Sequence, residues 1–301
     1  MKVAIALALV AATHGFVPYL RHTPRSSSLR MALGDARSAA RATAPADASA
    51  TQQQRDAAIA ERALRAVEAY GGAAGGYRTR EFLLEGMAHC ARFFDPKRCV
   101  DPEGGFFHFF AADGAVYDKS TRVLVTEARF VFTYATAYEH LGGEEYLRAV
   151  EHGVRSLAEG PLRNRANGAY HWVLEDGAPT DSKIYTYALA QTLLAYAKAV
   201  GVGVEAARPY LEETWDLLEA RMWDAESGLY AEEADADWNV SPYRSESGNL
   251  HVTEALIAAY EATREPRYLE RAALVADHVC NRQAGLTQGL VWEHFNEDWS
   301  A

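Results

Sequence analysis

The chain has 301 residues, 49% of them hydrophobic, with a formal net charge of −11 and three cysteines, Cys90, Cys99 and Cys280. That length and apolar content suffice for a large core in one or two domains. The acidic balance argues against a nucleic-acid partner, which needs a basic footprint, and an odd cysteine count without a C-x-x-C pair suggests neither a disulfide framework nor a zinc site.

Residues 1–31 carry Lys2, Arg21, Arg25 and Arg30 and no acid. Lys2 precedes an apolar run, residues 3–12, too short to span a bilayer and laid out like a signal peptide. The Arg-, Ser- and Thr-rich stretch that follows reads as a transit peptide, with Phe16 at the junction. Together they resemble the bipartite presequences of algae with secondary plastids. A plastid destination is expected, with ordinary secretion as the alternative and no membrane attachment once the presequence is removed. Residues 32–51, dominated by Ala, Ser, Thr and Asp, read as a disordered linker.

From residue 52 the pattern becomes helical. Expected helices are 52–70, 78–94, 123–141, 144–159, 182–200, 205–221, 248–263 and 266–282. Glycine followed closely by an aromatic or large apolar residue recurs at Gly105, Gly168, Gly228 and Gly289, at separations of 63, 60 and 61. From Gly105 on, each interval holds two of the helices, and the glycine segments read as short strands or hairpins between pairs. The first helix of a pair is apolar nearly all round ("IYTYALAQTLLAYA") and the second is amphipathic ("YLRAVEHGVRSLAE"). Buried helices wrapped by amphipathic ones define an all-α, α/α toroid. Polar groups at the starts of its inner helices would point into a central pocket. Four pairs fall short of a closed six-pair ring. The expectation is therefore an α/α toroid, incomplete at its C-terminal side: open, closed by a partner, or cut short. Self-association, at its simplest a homodimer, is expected of such exposed apolar flanks.

Four groups of residues carry candidate chemistry. Arg129 sits one turn into an apolar helix, where it needs an anion, an oxygen cluster or a salt bridge to Glu127 or another acid. His251 and Glu254, three apart on one helical face, make a carboxylate–imidazole pair suited to proton transfer near neutrality. The segment 289–299 gathers Trp292, Glu293, His294, Asp298 and Trp299, aromatic faces beside carboxylates as in a sugar site. Lys183, Tyr185 and Tyr187 stand near the start of another inner helix. The bland readings are a structural ion pair, a hydrogen-bonded core histidine and an aromatic loop packed under the ring.

The blocks "NLHVTEA" (Asn249–Ala255) and "WEHFNEDW" (Trp292–Trp299), with "TEAR" (Thr126–Arg129) and His152–Gly153, resemble the N-acylglucosamine 2-epimerase family of sugar epimerases and aldose–ketose isomerases. The resemblance covers residues 78–301. It implies an (α/α)6 barrel, His251 as a catalytic histidine, Glu254 as its partner and Arg129 as the arginine on substrate oxygens. It further implies Asn249, Tyr187, Trp292, Glu293, His294 and Trp299 as the substrate surround, a small sugar as partner, and no metal or redox cofactor. The implied reaction opens a mannose-type or N-acylhexosamine sugar, removes the C2 proton to give a cis-enediolate, and returns a proton to C1 or C2. Two departures stand out. Family isomerases often have a histidine where this chain has Tyr187, and the family's second catalytic histidine lies in a block beyond residue 301. The competing readings are an inverting glycoside hydrolase using Glu254 and Glu293, and an inactive, incomplete member acting at most as a helical binding module.

Overall fold

A computed structural model describes residues 79–300. The expected presequence, linker and helix 52–70 lie outside the described residues. The chain divides into two compact units, Met1–Met87 and Ala88–Ala301, and the second carries the helical hairpins and strands. Helix α1 (Arg80–Phe93) contains the division and is followed by a single helical turn, Pro96–Cys99, capped by the Asp95 carboxylate on the Lys97 N–H.

Three helical hairpins follow. They are α2 (Leu124–Leu141) with α3 (Glu144–Glu159), α4 (Thr186–Gly201) with α5 (Arg208–Leu217), and α6 (Glu246–Thr263) with α7 (Pro266–Asp277). The first helices of the pairs pack side by side in the order α2, α4, α6, and each second helix lies against its own partner. This is the inner and outer layering of an α/α toroid. Helix α4, flanked on both sides, buries a nearly continuous run from Ala188 to Val200. Helix α3 buries only one stripe, Ala149, Val150, Gly153, Val154, Leu157 and Ala158, the recurrence of an amphipathic helix. Helix α6 leaves Leu250 and Ile257 exposed.

Close approach of α3 to α2 depends on Gly153. A Cβ there would stand 2.5 Å from Val131 Cγ2 and 2.6 Å from the Phe106 ring, so only glycine fits. One residue earlier, the His152 imidazole Nε2 bonds the Gly105 carbonyl at 2.8 Å, tying the outer helix to the first glycine segment.

The strands are short and antiparallel, and they repeat. β1 (Phe109–Phe110) pairs with β2 (Val116–Asp118). β3 (Arg122–Val123) pairs with β4 (Val173–Glu175), which also takes β5 (Ala178–Asp181). β6 (Ile184–Tyr185) pairs with β9 (Glu233–Ala234), and β7 (Trp223–Asp224) with β8 (Leu229–Tyr230). β10 (Arg244–Ser245) pairs with β11 (His294–Phe295). In each repeat the two residues before an inner helix pair with the glycine segment of the next repeat. The first amide of that helix then donates across the gap: Leu124 to the Trp172 carbonyl, Thr186 to Glu232, and Glu246 to Glu293, at 3.0, 2.8 and 3.0 Å. These bonds satisfy helix-start donors that would otherwise lack partners. They also make Trp172, Glu232 and Glu293 equivalent positions, each beside an inner-helix N-terminus.

The expected helix 182–200 starts four residues late, at Thr186, because Ile184 and Tyr185 are held in a strand by a partner about 50 residues away. The expected outer helices ending at 221 and 282 finish in wider π turns, Leu218–Met222 and His278–Gln283, at matching places in two repeats.

Candidate active site

Three polar side chains stand at the same place on the three inner helices. Arg129, Gln191 and His251 are each the sixth residue of their helix, and side-by-side packing brings them into one row. Arg129 Nη2 donates to the Tyr187 hydroxyl at 2.6 Å, and Arg129 Nε to Gln191 Oε1 at 3.4 Å. Gln191 Nε2 lies 3.1 Å from His251 Nδ1. Glu254 Oε2 lies 3.2 Å from that same nitrogen. The Tyr187 ring fills the space between, 4.7 Å from the imidazole and 5.9 Å from the guanidinium carbon.

Burial is graded along the row. Gln191 is 5% exposed, whereas the His251 and Glu254 side chains are 15% and 44% exposed. A positive charge at one end, an imidazole–carboxylate pair at the other and a fixed amide between them is a geometry for proton transfer beside a developing negative oxygen. Burial raises the Tyr187 pKa above its ordinary value, opposed by Arg129. The phenol therefore stays protonated at neutral pH and serves as a hydrogen-bonding group.

The alternative partner for Arg129 is taken elsewhere. Glu127 is fully buried, accepts from the Phe106 amide at 3.2 Å and bonds His108 Nε2 at 3.0 Å. The Val123 amide donates to His108 Nδ1, so Nε2 carries the proton that Glu127 accepts. Burial lowers the His108 pKa, with Glu127 opposing, and the ring is neutral. Gly105 is required beside this pair: it has a φ of 74°, and a Cβ would meet the Glu127 carboxylate at 2.6 Å.

Acids crowd the starts of these helices. Glu232 is 8% exposed, and burial pushes its carboxyl up to about 8, only partly offset by the Gly248 amide and Ser245 hydroxyl. Among the described residues its Oε2 has no hydrogen-bond partner. Glu246 is also raised, mainly by burial, with His251 opposing and Glu293 adding to the shift. Lys183 pairs with Glu233 at 2.8 Å and lies over the Tyr185 ring, which packs on Trp172 at 4.7 Å.

The structure sorts the residues expected around a substrate. Tyr187 joins the row. Trp292, Glu293 and His294 are exposed and held near the start of α6 by the β10–β11 pairing, with His294 Nδ1 bonded to the Tyr243 hydroxyl at 2.6 Å. Asn249 and Trp299 are both buried. Asn249 is fully buried and its amide is consumed by the Tyr230 N–H, the Tyr230 carbonyl and the Ser245 carbonyl. Trp299 is 3% exposed and packs on Phe295. Gln191 and Glu232 are additions that the sequence reading does not single out. The offset from the repeated glycine segments marks both: Gln191 is 62 residues after Arg129 and 60 before His251, and Glu232 is 61 before Glu293. Among the described residues no cluster of three His, Cys, Asp or Glu could hold a metal, and no helix is long and apolar enough to cross a membrane.

Layered helical hairpins with a polar row across the starts of the inner helices define an α/α-toroid scaffold. Residues 105–301 match the family model described as N-acylglucosamine 2-epimerase (GlcNAc 2-epimerase). The chain belongs to that family. It is 42% identical over 225 residues to a D-mannose isomerase of Marinomonas mediterranea, covering 74% of this chain and 56% of that protein. It is 32% identical over 216 residues to the D-mannose isomerase of Thermobifida fusca, covering 70% and 52%. A crystal structure of D-mannose isomerase superposes with a TM-score of 0.71 at 42% identity, over 74% of this chain and 57% of the other. The cellobiose 2-epimerase of Bacillus thermoamylovorans, at 21% identity and a TM-score of 0.64, shares the fold. The chain spans about half the length of the curated relatives it matches.

Proposed function

We propose that the protein is a sugar isomerase or 2-epimerase acting on a mannose-type sugar, or an N-acylhexosamine, through a cis-enediolate. The observation that carries this reading is the hydrogen-bonded row from Arg129 through Gln191 and Tyr187 to His251 and Glu254. A reducing sugar opens to its aldehyde. His251 removes the proton from C2, and the electrons move onto the carbonyl oxygen to give the enediolate. Arg129 stabilises the negative oxygens, where a fixed donor is worth far more than water. Glu254 holds the Nδ1–H of the imidazolium that results. Return of the proton from His251 to C1, with the O2 proton passing to O1, gives the ketose; the epimer instead needs a second acid that delivers a proton to the opposite face of C2.

The names of these two relatives favour mannose as the sugar to try first. The test is incubation of the full chain with mannose, N-acetylmannosamine and cellobiose, followed by sugar analysis. Fructose from mannose, or a C2 epimer, supports the reading. Release of new reducing ends from an oligosaccharide, with no isomer formed, would replace it by the hydrolase reading. On the sequence alone the reading extends to a homodimer, no nucleic-acid partner, and a plastid location directed by residues 1–31.

A further inference from the structure

We propose that Gln191 is a positioning residue that selects the tautomer of His251, holding the neutral ring with its proton on Nε2. Arg129 has donors and no acceptor. Its Nε faces Gln191, so the amide must turn its oxygen to Arg129, as it does at 3.4 Å. The planar amide then has only its NH2 group for His251, and that group meets Nδ1 at 3.1 Å. An N–H donor needs a lone pair opposite it. The neutral ring therefore keeps Nδ1 unprotonated and carries its hydrogen on Nε2. Gln191 is 5% exposed and packed in the most buried inner helix, so it cannot swing away cheaply.

Glu254 competes for the same atom. Its carboxylate, 3.2 Å from Nδ1, is an acceptor and favours a hydrogen there. Both partners cannot be satisfied at once, and each owns one state. With Gln191 engaged, Nε2–H faces outward as a donor to a substrate oxygen. With Glu254 engaged, Nδ1 carries the proton and Nε2 has the lone pair of a base. Passage from the first state to the second removes one proton from Nε2 and places one on Nδ1. Tyr187 packs on the same ring at 4.7 Å.

The chemical consequence rests on the isomerase reading, but the tautomer does not. The experiment is nitrogen NMR of the full chain with 15N-labelled histidine rings, at a pH where His251 is neutral. His251→Asn identifies the His251 signals among the ten histidines by their loss. The wild-type ring should show the Nε2–H pattern. In Gln191→Leu the competing donor is gone, and the pattern should move to Nδ1–H, held by Glu254. Gln191→Glu keeps a partner for Arg129 but presents an acceptor to Nδ1, and should also give Nδ1–H. Glu254→Gln should leave Nε2–H in place. A wild-type ring protonated on Nδ1 would overturn the proposal, as would a folded Gln191→Leu with unchanged tautomer. If the tautomer behaves as stated and no sugar is isomerised, the isomerase reading fails while this proposal stands.

Discussion

Arg129 and His251 occupy the same position on two different inner helices, and one amide, Gln191, touches both. The polar row is thus a property of the repeat. Each hairpin offers one side chain at its sixth inner-helix residue, and the packing of α2, α4 and α6 sets them side by side. Cation, amide and imidazole fill equivalent places with three different chemistries.

Arg129→Lys keeps the charge but loses the planar fork that reaches Tyr187 and Gln191 together. Turnover should fall ~10²-fold or more by the measure of a lost oxyanion donor, with thermal stability little changed. Tyr187→Phe removes the 2.6 Å bond to Arg129 and should cost about fivefold, in line with ~1 kcal/mol for one hydrogen bond. Steady-state kinetics on the two variants checks the order; a larger loss from Tyr187→Phe than from Arg129→Lys would make the phenol the principal group.

Asn249→Ala strands the Tyr230 N–H and carbonyl in a fully buried place. The cost should be ~2–6 kcal/mol, at roughly one to three kcal/mol for each of the two orphaned buried groups. Denaturant unfolding should show it directly. A variant of wild-type stability with weakened sugar binding would instead return Asn249 to the substrate surround.

Glu232 gives a pH signature. Its folded pKa of about 8 lies above the ordinary 4.5, so between these values the folded state holds a proton that the unfolded state releases. Stability from this group is complete below pH 4.5 and is lost as pH rises through 8, on the order of a few kcal/mol. Glu232→Gln removes the titration. Unfolding measured from about pH 5 to 8.5 should show the variant gaining on the wild type with each step upward. A constant difference across that window would mean that the carboxyl titrates alike in both states.

Much of this could be read from the chain. Helix α3 was legible to the residue, because Gly142–Gly143 and Gly160 bracket an amphipathic stripe. The pairing of His251 with Glu254 followed from a three-residue spacing. What could not be read depends on distant partners. The start of α4 is set by a strand pair that only the fold creates. Gln191 carries no charge and sits in a run of Ala and Leu, so nothing local marks it. Asn249 and Trp299 have the chemistry of sugar-binding residues, and only the fold shows that both are buried.

Residues 1–40 fused to a fluorescent reporter should direct it to the plastid in an alga with a secondary plastid. Export of the reporter into the medium would make the segment an ordinary secretory signal.

The most direct test of the catalytic row is the fate of the C2 hydrogen. Mannose labelled with deuterium at C2 is incubated with the wild-type chain and with His251→Gln, and loss of label from C2 is followed by NMR. The wild type should remove the label, and the variant should do so at least ~10²-fold more slowly, as expected on loss of a general base. Equal loss of label from the wild type and a folded His251→Gln would contradict the assignment of His251 as the base.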